Sequence, residues 1–181
     1  MVAKHLVELG HVRLAYVTEG PEKPSFAARA RGFRGVATAE SGIDVVEIHI
    51  DREEPGLSFE WQYEALAEEG RGPTGLLTST DSVAFAVAAA LSRLGLVVPQ
   101  DVSLVGFNDA VGSSRFVPKL TTLRIPTGDI GAAAMRFLHE RIEGVRTPAR
   151  RLEFAPTFVL RDSTAAFRAK AAQGAGLEVS T

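Results

Sequence analysis

Apolar positions along the chain follow two periods in turn. Short runs of apolar and small residues occupy 14–18 (LAYVT), 45–50 (VVEIHI), 75–79 (GLLTS), 102–107 (VSLVGF) and 120–125 (LTTLRI). Each is too short for a stable helix, is bounded by polar, Gly or Pro residues, and reads as a strand. Between them apolar residues recur every three or four positions: Phe26, Ala30, Phe33 and Ala37; Phe59, Tyr63 and Leu66; the Ala-rich stretch before Gly95; and Ile130, Ala134, Phe137, Leu138 and Ile142. These are helical faces, closed near Gly42, Gly70, Gly95 and Gly144, with Ser25, Ser58, Thr80 or Asp81, and Thr127 as candidate N-caps. The first residues read as the last turns of an amphipathic helix, with Leu6, Val7 and Leu9 apolar and Gly10 closing it, so a preceding segment is expected. Residues 98–109 (VPQDVSLVGFND) concentrate the whole pattern, passing from a helix end through an uncharged strand to a polar loop. An uncharged strand suits a position covered on both faces, and regular strand–helix alternation predicts an α/β fold with a doubly wound, mainly parallel sheet. After Asn108 the pattern loosens into a loop over 108–118, two short strand candidates at 151–154 and 157–161 separated by Pro156, and a small-residue tail from Ala165 expected to lack fixed structure.

Composition narrows the function classes. With 181 residues, 45% hydrophobic and 23% charged, the chain is one ordinary globular domain by default. It has no cysteine, which excludes disulfides, thiolate metal sites and a cysteine nucleophile, and its four histidines are scattered without metal-ligand spacing. A net charge of -2 with dispersed Lys and Arg leaves no electrostatic footprint for nucleic acid or an anionic membrane. The first residues carry Lys4, His5, Glu8 and His11 and make no secretory signal, while the longest apolar run, 83–91, is about half of a membrane span. No G-x-S-x-G elbow or G-x-G-x-x-G loop is present, and Asn108 and Asp109 have no predicted histidine beside them. Neither an enzyme nor a cofactor is expected.

In open α/β sheets ligands bind beyond the carboxyl ends of the strands. Those ends here are 19–25, 51–56, 79–81 and 108–115, which bring Asp51, Thr80, Asp81, Asn108, Asp109 and Arg115 to one rim. Such an inventory suits hydrogen bonding to a neutral polyhydroxy or amide-bearing molecule.

The segments HLVELGHVRLAYV, ARARGFRGV, PTGLLTSTDSVAFAVAAALSRLGLVVPQDVSLVGFND, PKLTTLRIPTGDIGAAA and PTFVLRDST, in that order and spacing, resemble the effector-binding region of the lactose-repressor (LacI/GalR) family of bacterial transcription regulators. The resemblance implies a type I periplasmic-binding-protein-like core, here mostly the second of two subdomains, for a cytoplasmic homodimer that senses a small polar effector such as a sugar or sugar derivative. DNA contact would come only through an N-terminal helix-turn-helix that this chain lacks. Residues 1–164 would form the core, 127–154 an excursion into the missing first subdomain, leaving Ile130, Phe137 and Leu138 exposed, and 165–181 a tail. Carried over by position, Arg29 matches an effector-contacting arginine, a role for which a guanidinium fork is suited. Ser25 lies at the same rim, as either a ligand contact or a helix cap, and the same pair of readings applies to Asp81. Asn108 stands where many relatives have an acceptor aspartate, Thr80 where many have asparagine, and Leu57 where an aromatic often stacks on ligand; Trp61 either replaces that aromatic or belongs to the core. Phe85 and Phe116 match dimer-interface positions, with core packing the alternative for Phe85. A transporter's solute-binding protein shares this fold and is the competing function; a fragment that only dimerises is a third.

Overall fold

The computed structural model describes residues 1–39, 42–144 and 148–168. Helix α1 (Val2–Glu8) leads into strand β1 (Arg13–Thr18), and then α2 (Pro24–Ala37), β2 (Asp44–His49), α3 (Pro55–Glu68), β3 (Gly75–Thr78), α4 (Asp81–Arg93) and β4 (Ser103–Asn108) alternate without exception. A 3-10 turn (Val111–Ser114), β5 (Thr121–Arg124), α5 (Thr127–Ile142) and β6 (Thr157–Val159) complete the order. The sheet runs β2-β1-β3-β4-β5-β6. All neighbours are parallel except β6, which is antiparallel to β5. The predicted α/β class and mainly parallel sheet are therefore present.

Strand alternation sends side chains to two cores. On one face Ala15, Val17, Leu76 and Leu104 meet Phe59 and Tyr63 of α3 and Val83, Val87 and Leu91 of α4. On the other, Leu14, Tyr16, Leu77, Val105 and Phe107 meet Leu6 of α1 and Ala30 and Phe33 of α2. The central strands β3 and β4 are buried on both faces, which explains their uncharged sequences. Glycines close elements where a left-handed residue is needed: Gly95 has φ +73° after α4, ahead of Pro99.

Several boundaries differ from the sequence reading. Helix α2 begins at Pro24 with Lys23 as N-cap, so Ser25 is inside the first turn and is exposed. Proline at the first helical position supplies the preset φ that a capping side chain would otherwise support. Pro55 does the same for α3, placing Ser58 within the helix, where its Oγ accepts from the Asp51 amide at 3.2 Å. Helix α5 is preceded by Pro126, and Thr127 is its first residue. Residues 151–154 form no strand. Ile130 and Leu138 are exposed, whereas Phe137 is half-buried beneath the Arg150 guanidinium, 4.2 Å from its ring centroid.

The start of the predicted tail, 165–168, is better held than its composition suggests. The Ala165 amide donates to Ser103 Oγ at 3.0 Å, and the Phe167 amide to the Leu9 carbonyl at 2.7 Å. The rest of the predicted tail, 169–181, lies outside the described residues.

Candidate ligand-binding rim

Arg29 projects from the second turn of α2 toward the carboxyl ends of β3 and β4. Its Nη1 donates to the Ser79 carbonyl at 2.7 Å, and its guanidinium sits 3.6 Å from the Phe107 ring centroid and 5.2 Å from that of Phe26. Among the described residues it forms no ion pair with a carboxylate. Burial pushes its pKa below the ordinary value, opposed by nearby Tyr16, yet a guanidinium stays charged at any physiological pH. The result is a half-buried cation held by a ring face and one carbonyl, with donors left for a ligand. Beside it lies a cavity of about 170 Å³ lined in part by Phe33, Leu77, Phe107 and Leu123. Nearby, Ser79 Oγ is buried without a hydrogen-bond partner among the described residues, and burial pushes the Tyr16 pKa up to about 12 against the opposing Arg29 charge.

The β4 end turns sharply. Asn108 and Asp109 have φ of +113° and +58°, a region that Asn and Asp tolerate better than other non-glycine residues. Asn108 is exposed on the rim, while the Asp109 side chain is buried. Arg161 Nη2 donates to Asp109 Oδ1 at 2.6 Å, and Arg124 Nε to Oδ2 at 2.7 Å. Burial alone would raise the Asp109 carboxyl, but the hydrogen bonds and charges of Arg161 and Arg124 outweigh it and hold the group below its ordinary value.

Thr80 and Asp81 have separate duties. Thr80 is the N-cap of α4, its Oγ1 accepting from the Val83 amide at 3.3 Å, while its carbonyl accepts from Thr78 Oγ1 at 2.9 Å. Asp81 is not the cap. It is the first helical residue, only 1% exposed, and its carboxylate accepts from the Ala110 amide (2.6 Å), Ser113 Oγ (3.0 Å) and Thr122 Oγ1 (2.6 Å). Its place is therefore beneath the rim loop instead of on the ligand side, which corrects its assignment to the rim. The capping alternative for Ser25 is also removed, and its exposed side chain remains near the rim.

Trp61 is 66% exposed, which excludes the core alternative. With Leu57, Asp51, Glu53 and Glu54 it lines a shallow concavity of about 370 Å³ beyond β2. Phe107, Arg124, Arg161, Ser113 and Thr122 were not singled out by the sequence reading. Their roles depend on contacts between residues far apart in the chain, such as Arg29 with Phe107 and Arg161 with Asp109, and no local pattern carries such a signal.

A further concavity lies away from the rim. A groove of about 390 Å³ runs along α4 and the following loops between Phe85, Val97 and Phe116. Phe85 and Phe116 lie together, with ring centroids 5.0 Å apart and a 31° tilt, and Val117 beside them is 88% exposed. Phe85 also packs against the α3/α4 core, which is the core reading of that residue.

Residues 3–164 match the periplasmic binding protein-like domain. The transcriptional regulator MalR of Streptomyces coelicolor is 34% identical over 168 residues, covering 91% of this chain and 48% of that protein. The transcriptional repressor PurR of Aliivibrio fischeri is 30% identical over 177 residues, covering 90% and 49% respectively. The structure of a dimeric Lac repressor superposes with a TM-score of 0.77 at 28% identity, covering 91% of this chain and 59% of that one. The chain thus spans about half the length of the curated relatives it matches. The matched order and spacing of elements, with the rim at the strand carboxyl ends, show that the chain belongs to the periplasmic binding protein-like domain family and corresponds to the effector-binding region of LacI/GalR-family regulators.

Proposed function

We propose that this chain is the ligand-sensing and dimerising portion of a LacI/GalR-family transcription regulator, and that it takes a small polar effector, a sugar or sugar derivative, at the rim formed by Arg29 and Asn108 with Ser25 and Thr80 at its margin. The observation that carries this reading is Arg29: a half-buried guanidinium stacked on Phe107 and tethered by the Ser79 carbonyl, with no carboxylate partner among the described residues. An unpaired cation so positioned supports recognition of ligand oxygens, and Asn108 adds one donor and one acceptor. The groove at Phe85 and Phe116 is the face for a second copy, since exposed Val97 and Val117 extend its apolar surface. With its dispersed charge the chain has no stripe for DNA, so DNA contact belongs to another part of such a cytoplasmic regulator. The effector then acts by favouring one of two hinge states, to the extent of its differential affinity for them.

Isothermal titration of the chain with D-ribose, D-glucose and adenosine tests the rim. Removing a charge-assisted pair of hydrogen bonds costs about 1.5–3 kcal/mol, so Arg29→Ala is expected to weaken binding by roughly tenfold or more with an unchanged far-ultraviolet spectrum. Equal affinity in the variant, or no heat from any of these compounds, rejects the sugar-sensing reading. Sedimentation equilibrium tests the face: Phe116→Asp is expected to shift a dimer to monomer, and an unchanged mass rejects it.

A further inference from the structure

Asp81 is only 1% exposed, and its bonds converge from the β4–β5 loop and from β5. Its Oδ2 accepts from the Ala110 amide and Ser113 Oγ, and its Oδ1 from Thr122 Oγ1 on β5. Space for Oδ1 exists because residue 106 is glycine: a Cβ there would collide with that oxygen and lie 2.8 Å from Leu120 Cδ2. Ala110 is two residues beyond Asn108, and Ser113 is three before Phe116. One carboxylate therefore grips the loop that has Asn108 at its rim end and Phe116 at its groove end.

We propose that Asp81 is a positioning residue that holds Asn108 on the ligand rim and Phe116 against Phe85 at the same time, so that the two sites share one brace. The inference rests on the reading of the rim as an effector site and of the groove as a pairing face. Backbone in the left-handed region at Asn108 and Asp109 is disfavoured for residues with a side chain and persists where its surroundings hold it. Arg124 and Arg161 hold it from one side through Asp109, and Asp81 holds it from beneath through Ala110. Without the carboxylate, the fully buried Ser113 and Thr122 hydroxyls and the Ala110 amide lose their acceptor, and the loop must move to recover hydrogen bonds. That motion turns Asn108 away from the rim and loosens Phe116, whose loop presses Gly112 close against the Phe85 ring.

The test compares Asp81→Asn with Asp81→Leu in the full chain by hydrogen exchange, with β1 as the internal control. The amide variant keeps one oxygen for Ala110 and Ser113 and can donate to Thr122 Oγ1, whereas leucine keeps the branched shape with bulkier ends and offers no acceptor. Loss of roughly 1.4 kcal/mol or more of local stability accelerates exchange over 110–116 about tenfold or more in Asp81→Leu, with β1 unchanged and Asp81→Asn within about threefold of the parent. If Asp81→Leu does not fold, the pair Ser113→Ala/Thr122→Val, which leaves Asp81 charged and bonded only to Ala110, is expected to accelerate the same segment. Unchanged exchange over 110–116, or equal acceleration in β1, overturns the proposal. Titration of D-ribose, D-glucose and adenosine separates the two readings: if one binds the parent, Asp81→Leu must weaken it while Asp81→Asn does not, and equal affinity in all three proteins overturns the proposal. If none binds, the effector reading fails for these compounds while the exchange result still decides the role of Asp81.

Discussion

Replacing His11 with alanine removes a side chain that ties the first helix–strand turn to residue 165. The ring is 2% exposed, with Nδ1 3.0 Å from Thr74 Oγ1 and Nε2 2.9 Å from Ser103 Oγ and 3.1 Å from the Ala165 carbonyl. A carbonyl can only accept, so Nε2 carries the proton in this arrangement and Nδ1 accepts from Thr74. Ser103 keeps its contacts with the Ala165 amide (3.0 Å) and carbonyl (3.2 Å) when the ring is lost, but the Thr74 hydroxyl is left buried without its partner. Truncating a buried side chain of this size costs about 2–3 kcal/mol, and stranding one hydroxyl adds about 1 kcal/mol. The expected loss is therefore about 3–4 kcal/mol, a large part of the ~5–15 kcal/mol of a typical domain. Urea unfolding followed by far-ultraviolet circular dichroism measures it, because the single tryptophan, Trp61, is exposed and reports poorly on the core. Thr74→Ala supplies the comparison, with an expected loss of about 1 kcal/mol. A loss below about 1 kcal/mol for His11→Ala, or one equal to that of Thr74→Ala, would refute the argument that the ring is an anchor.

The histidines also give stability a pH dependence. Burial holds both His5 and His11 below the ordinary value of 6.5, against the opposing charge of Glu8 at His5 and the Ala165 hydrogen bond at His11. The unfolded chain then takes up protons first on acidification, so this stability is complete above about pH 6.5 and declines as pH falls below it toward the folded values. The urea midpoint should be lower at about pH 5.5 than at about pH 7.5, and the drop should shrink in His5→Gln/His11→Gln; equal midpoints in the parent would contradict the assignment. Gly106→Ala should cost roughly 2–4 kcal/mol, because its Cβ meets Asp81 Oδ1 and Leu120, while Gly35→Ala on the exposed face of α2, with nothing within 4 Å, should stabilise by about 0.5–1 kcal/mol. Thermal unfolding of the two proteins checks both signs, and a tolerated Gly106→Ala would show that Asp81 can move.

Hydrophobic period and closing glycines were enough to read the α/β class and every parallel strand, since buried strands such as 102–107 and amphipathic faces such as Phe26 to Ala37 each have a simple repeat. Helix starts were less legible. Ser25, Ser58 and Thr127 look like caps, yet the proline at or next to each start fixes the backbone geometry, leaving those hydroxyls inside the first turn. Residues 151–154 have strand composition but pair with no strand among the described residues. At the rim, Arg29 and Asn108 were accessible through position, whereas the burial of Asp81 was not. An aspartate before an Ala-rich helix has the same sequence appearance whether it caps, binds or braces, and the distinction lies in Ala110, Ser113 and Thr122, about 30 to 40 positions away.

Those distant partners belong to a wider feature of the β4–β5 side of the sheet. Thr78, Ser103, Thr121, Thr122 and Ser163 are all fully buried, in a region where a hydrophobic pattern alone would put valine or leucine. Ser163 Oγ accepts from the Thr121 amide at 2.8 Å and donates to the Leu104 carbonyl at 2.6 Å, standing between β4 and β5 as a substitute rung. Thr121 Oγ1 accepts from the Arg161 amide at 2.9 Å, and Thr78 Oγ1 donates to the Thr80 carbonyl as well as that of Val105. Buried backbone groups must be satisfied, and after the short β6 the chain leaves the ladder, so side-chain oxygens complete what strand pairing does not. Arg161 continues the stitching, with Nη1 on the Leu120 carbonyl and Nη2 on Asp109. The crossing segment that ends the described chain therefore reaches the rim through directional bonds instead of apolar packing. Such bonds have a narrow range of working geometry, so a shift of residues 161–165 relative to β4 would be felt at Asp109 and Asn108 before it disturbed either hydrophobic core.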